Sequence, residues 1–125
     1  MESGLSVAEA AAKAGLSAHT LRWYEQVGLL DPVARDSAGR RRYREPDIER
    51  LDLLTKMRAT GMPVRDMVRY IGLVREGETT RPERLDMLSR HRAAVLRKID
   101  ELQRDLEVID RKIDRYHEQL TQRGL

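Results

Sequence analysis

Apolar residues recur every three or four positions through most of this chain, and towards its end the interval becomes strict. Val7, Ala11 and Ala14 share one helical face. Ser6 precedes them and Glu9 follows three residues later, the pattern of a capping box, while Gly15 fits the stop. Ser17 caps a second short helix in which Leu21, Tyr24 and Val27 face inward, and Gly28 ends it. His19, Thr20, Arg22 and Trp23 fall off that face and are free to point outward. Two short helices three residues apart, with the exposed polar positions near the start of the second, predict a helix-turn-helix.

The next stretch alternates differently. Leu29, Leu30 and Val33 start a strand around Asp31-Pro32, Asp36-Ser37-Ala38-Gly39 is turn chemistry, and Arg40 to Tyr43 returns. This predicts a hairpin wing. Glu45-Pro46-Asp47 then opens a third helix with Pro46 at its first position and Ile48, Leu51, Leu54 and Met57 on its buried face. Gly61 closes it. Pro63 opens a fourth helix striped by Val64, Met67, Val68 and Ile71, with Gly72 near its end. Arg65 lies in that helix's first turn.

Beyond Gly77 the pattern narrows. Leu85, Leu88, Arg92, Val95, Ile99, Leu102, Leu106, Ile109, Ile113, Tyr116 and Leu120 step by alternating three and four residues, and Arg92 alone among them is not apolar. At 1.5 Å per residue the seam runs for about 54 Å. A stripe this long and narrow needs a partner helix, and the chain offers no second long one, so a coiled coil with another copy is expected. Leu88, Val95, Ile99, Leu102, Leu106, Ile109, Ile113 and Tyr116 are the expected dimerisation residues. The pattern leaves parallel and antiparallel pairing open. Arg92 reads as a device for register. The expected organisation is mainly α: a winged helix-turn-helix domain over 5–76, a linker over 77–81, a long dimerisation helix over 82–120 and a tail over 121–125.

Composition sharpens this picture in two places. The chain has 125 residues, a net charge of only +3, and no cysteine. The weak net charge hides a cluster, because residues 35–44 carry Arg35, Arg40, Arg41, Arg42 and Arg44 against Asp36 alone. Such a patch fits an electrostatic footprint on nucleic acid, and it fits a solvated hairpin as well. Trp23 divides in the same way between DNA contact and core packing. The missing cysteines exclude disulfides, thiol redox chemistry and thiolate metal sites. No metal or cofactor is expected. The three histidines, His19, His91 and His117, are far apart in sequence, no phosphate-cradling glycine loop is present, and no catalytic constellation emerges. No apolar run is long enough to span a membrane, and no signal-peptide pattern opens the chain, so a cytoplasmic protein is expected.

At this point a family becomes recognisable. The run Ser6-Val-Ala-Glu-Ala-Ala-Ala-Lys-Ala-Gly-Leu-Ser17, then Thr20-Leu-Arg-Trp-Tyr-Glu-Gln-Val-Gly-Leu-Leu30, Arg35 with Gly39-Arg-Arg-Arg-Tyr43, Asp47-Ile-Glu-Arg-Leu51 and Gly61-Met-Pro63 resembles the MerR-type transcription regulators. The likeness extends over about residues 5 to 120. It implies a homodimer joined by an antiparallel coiled coil, each winged domain reading half of a near-palindromic promoter site on double-stranded DNA. It further implies regulation by DNA distortion, which affects RNA polymerase indirectly.

By motif match, Arg22, Trp23 and Tyr24 fall on the DNA-contact segment of the second helix, and Arg35, Arg41 and Tyr43 on the wing, with Arg65 near the edge of a second wing made by helices three and four. Ser17, His19 and Thr20 at the start of the second helix and Arg40 in the hairpin are candidate contacts by position. Trp23 stands where the family commonly has tyrosine. The absence of cysteines departs from the metal- and redox-sensing members, and with the chain ending at Leu125 no appended drug-binding domain is expected. The signal is left unassigned: a small-molecule effector is one option, and no residue pattern demands it. Two other functions fit the same residues: a coiled-coil adaptor for other proteins, and a DNA-bending accessory factor without a transcriptional role.

Overall fold

A computed structural model describes residues 4–124. Among them are five α-helices and a two-stranded hairpin: α1 (Val7–Ala14), α2 (Ala18–Gln26), β1 (Ala34–Arg35), β2 (Arg41–Arg42), α3 (Glu45–Ala59), α4 (Val64–Glu76) and α5 (Arg81–Gln122). The chain divides into two compact units, residues 1–87 and residues 88–125.

The first unit starts at a capping box. The Ser6 N–H donates to Glu9 Oε1 at 3.0 Å and the Glu9 N–H returns to Ser6 Oγ at 3.2 Å. Gly15 ends α1 in the left-handed region, at φ +70°. Ser17 caps α2 by accepting the Thr20 N–H at 3.0 Å. The three-residue turn between the helices sets α1 against α2, and α1 also packs on α3. Ala10 and Ala11 are buried at these contacts, where short side chains let backbones approach. Leu21, Leu29, Leu30, Leu51, Leu54, Met67 and Ile71 fill the core, joined by Tyr43.

Several local expectations need adjusting. Leu29, Leu30 and Val33 are buried core residues ahead of the hairpin rather than part of it, and the ladder is short, pairing Ala34 with Arg42 and Arg35 with Arg41. A third segment joins by a bridge: the Leu5 N–H donates to the Tyr43 carbonyl and the Tyr43 N–H to the Leu5 carbonyl, both at 2.7 Å. Pro63 occupies the N-cap of α4 rather than its first turn. Gly72 lies within α4, which continues to Glu76. Tyr70 takes a place in the buried stripe, whereas Val68 is exposed.

The expected linker is structured. Residues Glu78–Thr80 form a 3₁₀ turn, and Thr80 is buried with its hydroxyl donating to the Leu73 carbonyl at 2.6 Å. The Arg84 guanidinium donates back to the Thr80 hydroxyl and to the Gly77 carbonyl. At the same C-terminal end of α4, Arg75 holds Asp31 through Nε at 2.9 Å and Nη2 at 2.8 Å, tying this helix to the loop after α2. In the second unit α5 continues as an unbroken helix to Gln122, and the residues that describe it are exposed on nearly every face.

Candidate nucleic-acid interface

The candidate surface is built by α2 and the hairpin wing. At the start of α2, Ser17 and Thr20 serve each other: besides the cap bond, the Ser17 hydroxyl donates to the Thr20 hydroxyl at 2.9 Å. His19, Arg22 and Trp23 are exposed on the outer face, and Trp23 keeps 37% of its surface open. Its ring tilts against that of Tyr24 with centroids 5.8 Å apart.

The wing turn is organised by Asp36. Its carboxylate accepts the N–H groups of Ala38 and Arg40, both at 2.9 Å, and its own backbone pairs with Arg40. The Arg40 N–H bond and burial act in opposite directions on this carboxyl; with the Ala38 bond and the charges of Arg40 and Arg42, the balance holds it below its ordinary value. Gly39 takes φ +80°, a conformation that closes the turn and that side chains disfavour. Arg35 bends back to donate to the Gly39 carbonyl at 2.7 Å. The side chain of Arg40 stands 80% exposed.

Glu25 joins the two parts of this surface. Its Oε1 accepts the Val33 N–H at 3.1 Å and its Oε2 accepts Arg41 Nε at 2.7 Å. Burial alone would raise the Glu25 carboxyl, but the Val33 amide, the Arg41 hydrogen bond and the charges of Arg41 and Arg35 outweigh it and hold it low. One carboxylate on α2 thereby grips the segment that enters the wing and the strand that leaves it.

The structure divides the expected contact residues into three groups. His19, Arg22, Trp23, Arg35, Arg40 and Arg65 are on the surface. Ser17, Thr20 and Arg41 are engaged in holding the helix start and the wing.

Tyr24 and Tyr43 require correction. Tyr24 faces the core beside Leu21 and is 3% exposed, as the apolar spacing of α2 demands. Tyr43 is fully buried, and its hydroxyl is enclosed without a hydrogen-bond partner, so neither phenol ring lies on the candidate surface. In both cases packing of a large ring outweighs the polar oxygen. Burial also raises both phenols above their ordinary value. Arg42 was not expected among the contact residues. It is half-buried, its Nε enclosed and unpartnered, and it lines with Ser6, Val7, Arg35 and Arg40 a groove of about 630 Å³ between the wing and the start of α1. The alternation of strand faces, which puts Arg41 and Arg42 on opposite sides, was the available signal for treating these neighbours differently.

Comparison with known proteins decides the family. A family profile described as "MerR HTH family regulatory protein" matches residues 5–72, and one described as "MerR, DNA binding" matches residues 48–112. The chain belongs to the MerR family of helix-turn-helix transcription regulators. An uncharacterized HTH-type transcriptional regulator of Haemophilus influenzae is 38% identical to this MerR-family chain over 111 residues, spanning 89% of this chain and 82% of that protein. The regulator AdhR of Bacillus subtilis is 36% identical over 92 residues, spanning 74% and 66%.

Among solved structures, HiNmlR, described as a MerR family regulator lacking the sensor domain and bound to promoter DNA, superposes with a TM-score of 0.83 at 36% identity, covering 93% of this chain and 92% of that one. This MerR-family chain is a DNA-binding transcription regulator, and its relatives are named as regulators rather than enzymes. Among the described residues no helix is long and apolar enough to cross a membrane.

Proposed function

We propose that this regulator acts in the cytoplasm as a homodimer, with α2 of each copy in the major groove of one half-site on promoter DNA and each wing on the flanking phosphates. His19, Arg22 and Trp23 face base edges and nearby backbone, and Arg35 and Arg40 meet phosphate. Arg65 approaches the backbone from α4. Ser17, Thr20 and Arg41 support these contacts by fixing the helix start and the wing. Two half-sites read by one dimer distort the DNA between them, which changes promoter geometry for RNA polymerase without requiring contact with it.

The observation that carries this reading is the coincidence of an exposed aromatic and cationic α2 face with an exposed arginine wing, locked side by side through Glu25. The likeness to a relative solved on promoter DNA supports it. The exposed seam of α5 supports the dimer. An adaptor would use that seam but has no need of the wing arginines. Fluorescence anisotropy on the DNA upstream of the coding region, across a salt series and against a scrambled duplex, tests the proposal. Selective binding that weakens steeply with salt is expected. Equal, weak binding to both duplexes would overturn it in favour of the adaptor. Selective binding and bending with no effect on transcription by purified polymerase would leave an accessory factor instead.

A further inference from the structure

Between α1 and α3 lies a pocket of about 150 Å³ that the DNA-binding surface does not use. Its apolar walls are Ala10 and Ala14 from α1 and Ile48 and Leu51 from α3, and Lys13 and Asp52 complete the lining. Ala10 and Leu51 form the floor, at 0% and 1% exposure, while Lys13 and Asp52 are exposed and flank the opening. Close-packed interiors leave few voids larger than a water molecule, and this one has room for several heavy atoms. The helix that supplies its first wall packs on α2 as well as on α3.

The charges at the opening are unequally engaged. Asp52 is held by Lys56 Nζ at 3.0 Å. Glu9, one turn before Lys13, accepts the Ser6 N–H at 3.0 Å in the capping box. Among the described residues Lys13 forms no ion pair. Its ammonium is the uncommitted charge beside a buried apolar floor. A ligand that matches both features has a compact apolar body and one anionic end.

We propose that this pocket binds a small aromatic carboxylate, with its ring on Ala10, Ala14, Ile48 and Leu51 and its carboxylate on Lys13. An apolar cavity of about 150 Å³ accommodates one benzene ring. A ring suits the space better than a chain of equal area, because it has fewer rotamers to lose on binding. An inorganic anion is a poorer match, since the side chains of the floor offer it no donor and would leave its charge desolvated. A neutral ring leaves Lys13 without a partner. A cation would meet Lys13 and Lys56, with Asp52 already taken.

The wing arginines attract any anion and present little apolar surface, so ring and charge have to be separated. Proton–nitrogen correlation NMR of the nitrogen-labelled full chain, titrated with benzoate at constant ionic strength, reads the site directly. Acetate supplies the charge without the ring, and benzyl alcohol the ring without the charge. Benzoate should give saturable shifts centred on the amides of Ala10, Lys13, Ala14, Ile48 and Leu51, with a dissociation constant on the order of a millimolar. Acetate and benzyl alcohol should each bind roughly tenfold more weakly.

Two variants complete the test. Lys13→Met keeps an apolar stem without the charge. It should weaken benzoate roughly tenfold and leave benzyl alcohol unchanged. Ala14→Leu fills the pocket and should abolish binding of both compounds while the folded spectrum is retained. Lys13 is exposed, so its comparison stands whether or not Ala14→Leu folds. Benzoate shifts confined to Arg35, Arg40, Arg41 and Arg42 would overturn the proposal, since the compound would then act as a plain anion on the wing. Equal affinity for benzyl alcohol and benzoate would overturn it as well, because Lys13 would take no part. So would native benzoate affinity in a folded Ala14→Leu, or no saturable shift at the α1 and α3 amides.

Discussion

Arg41 Nε lies 2.7 Å from Oε2 of Glu25, and this contact fixes the wing against α2. Both side chains are largely shielded from water, at 26% and 15% exposure, so the pair is screened less than a surface ion pair. Arg41 is therefore a structural residue of the wing before it is anything else. Replacing it by alanine leaves the Glu25 carboxylate half-satisfied and should cost about 1–2 kcal/mol. A double-mutant cycle with Glu25→Gln, followed by urea unfolding, isolates the coupling. If Arg41→Ala unfolds at the native midpoint, the clasp contributes nothing to the fold.

The same carboxylate gives the fold a pH dependence. The Glu25 carboxyl is held below its ordinary value of 4.5, so it binds a proton more weakly when folded than when unfolded. Its contribution is therefore complete above the unfolded value and is lost as pH falls through the lowered folded one. Glu9 and Asp36 are also held low, but both are present in either protein, so they cancel in the comparison. Thermal unfolding of native protein and Glu25→Gln from about pH 6 down to about pH 3 should show the stability gap between them narrowing. A gap that is constant over this range would mean the Glu25 charge is not what holds the wing.

The bridge between Leu5 and Tyr43 supplies a different test. Gly4 sits at φ +101°, and a Cβ there would come within 2.8 Å of the Tyr43 carbonyl oxygen. Any side chain must both adopt a disfavoured backbone and push the bridge apart. Gly4→Ala should cost about 1–3 kcal/mol, read as a lowered melting temperature with fast amide exchange at Leu5 and Tyr43. Native exchange rates at both amides would show that the bridge tolerates the methyl group.

Legibility differed along the chain according to how local the deciding interaction is. Ser6 with Glu9, Ser17 with Thr20, and the Asp36 turn are contacts over two to four residues, so the sequence displays them directly. The strict spacing of α5 is a periodicity, visible for the same reason. Glu25 with Arg41 spans sixteen residues and Arg75 with Asp31 spans forty-four, and no local pattern announces either. Tyr43 shares a motif with the wing arginines, and it is packing that separates it from them. Its neighbours are arginines, yet strand alternation and the Leu5 bridge turn this one ring inward. Trp23 resolved the other way: it is the α2 aromatic left substantially exposed, and only the folded helix separates it from Tyr24.

That exposed tryptophan makes the division of labour between helix and wing measurable. It is the only tryptophan in the chain, and it stands on the α2 face that would enter the groove. Its emission should therefore change on adding operator duplex, and it can report binding for two contrasting variants. The Arg40 side chain is 80% exposed at the wing tip, with Asp36 3.6 Å away as its one ionic neighbour in the wing turn. As a phosphate contact, Arg40→Ala should weaken binding to all duplexes alike and reduce the slope of log affinity against log salt by about 0.9 per lost contact. Arg22 lies on α2 itself, where a guanidinium can fork onto the edge of a guanine. Arg22→Ala should weaken the operator by about 1–3 kcal/mol while changing scrambled DNA much less, so that discrimination falls. Were the two variants to lose affinity equally on both duplexes, with the same change in salt slope, Arg22 would be a backbone contact and specificity would have to come from His19, Trp23 or the shape of the DNA.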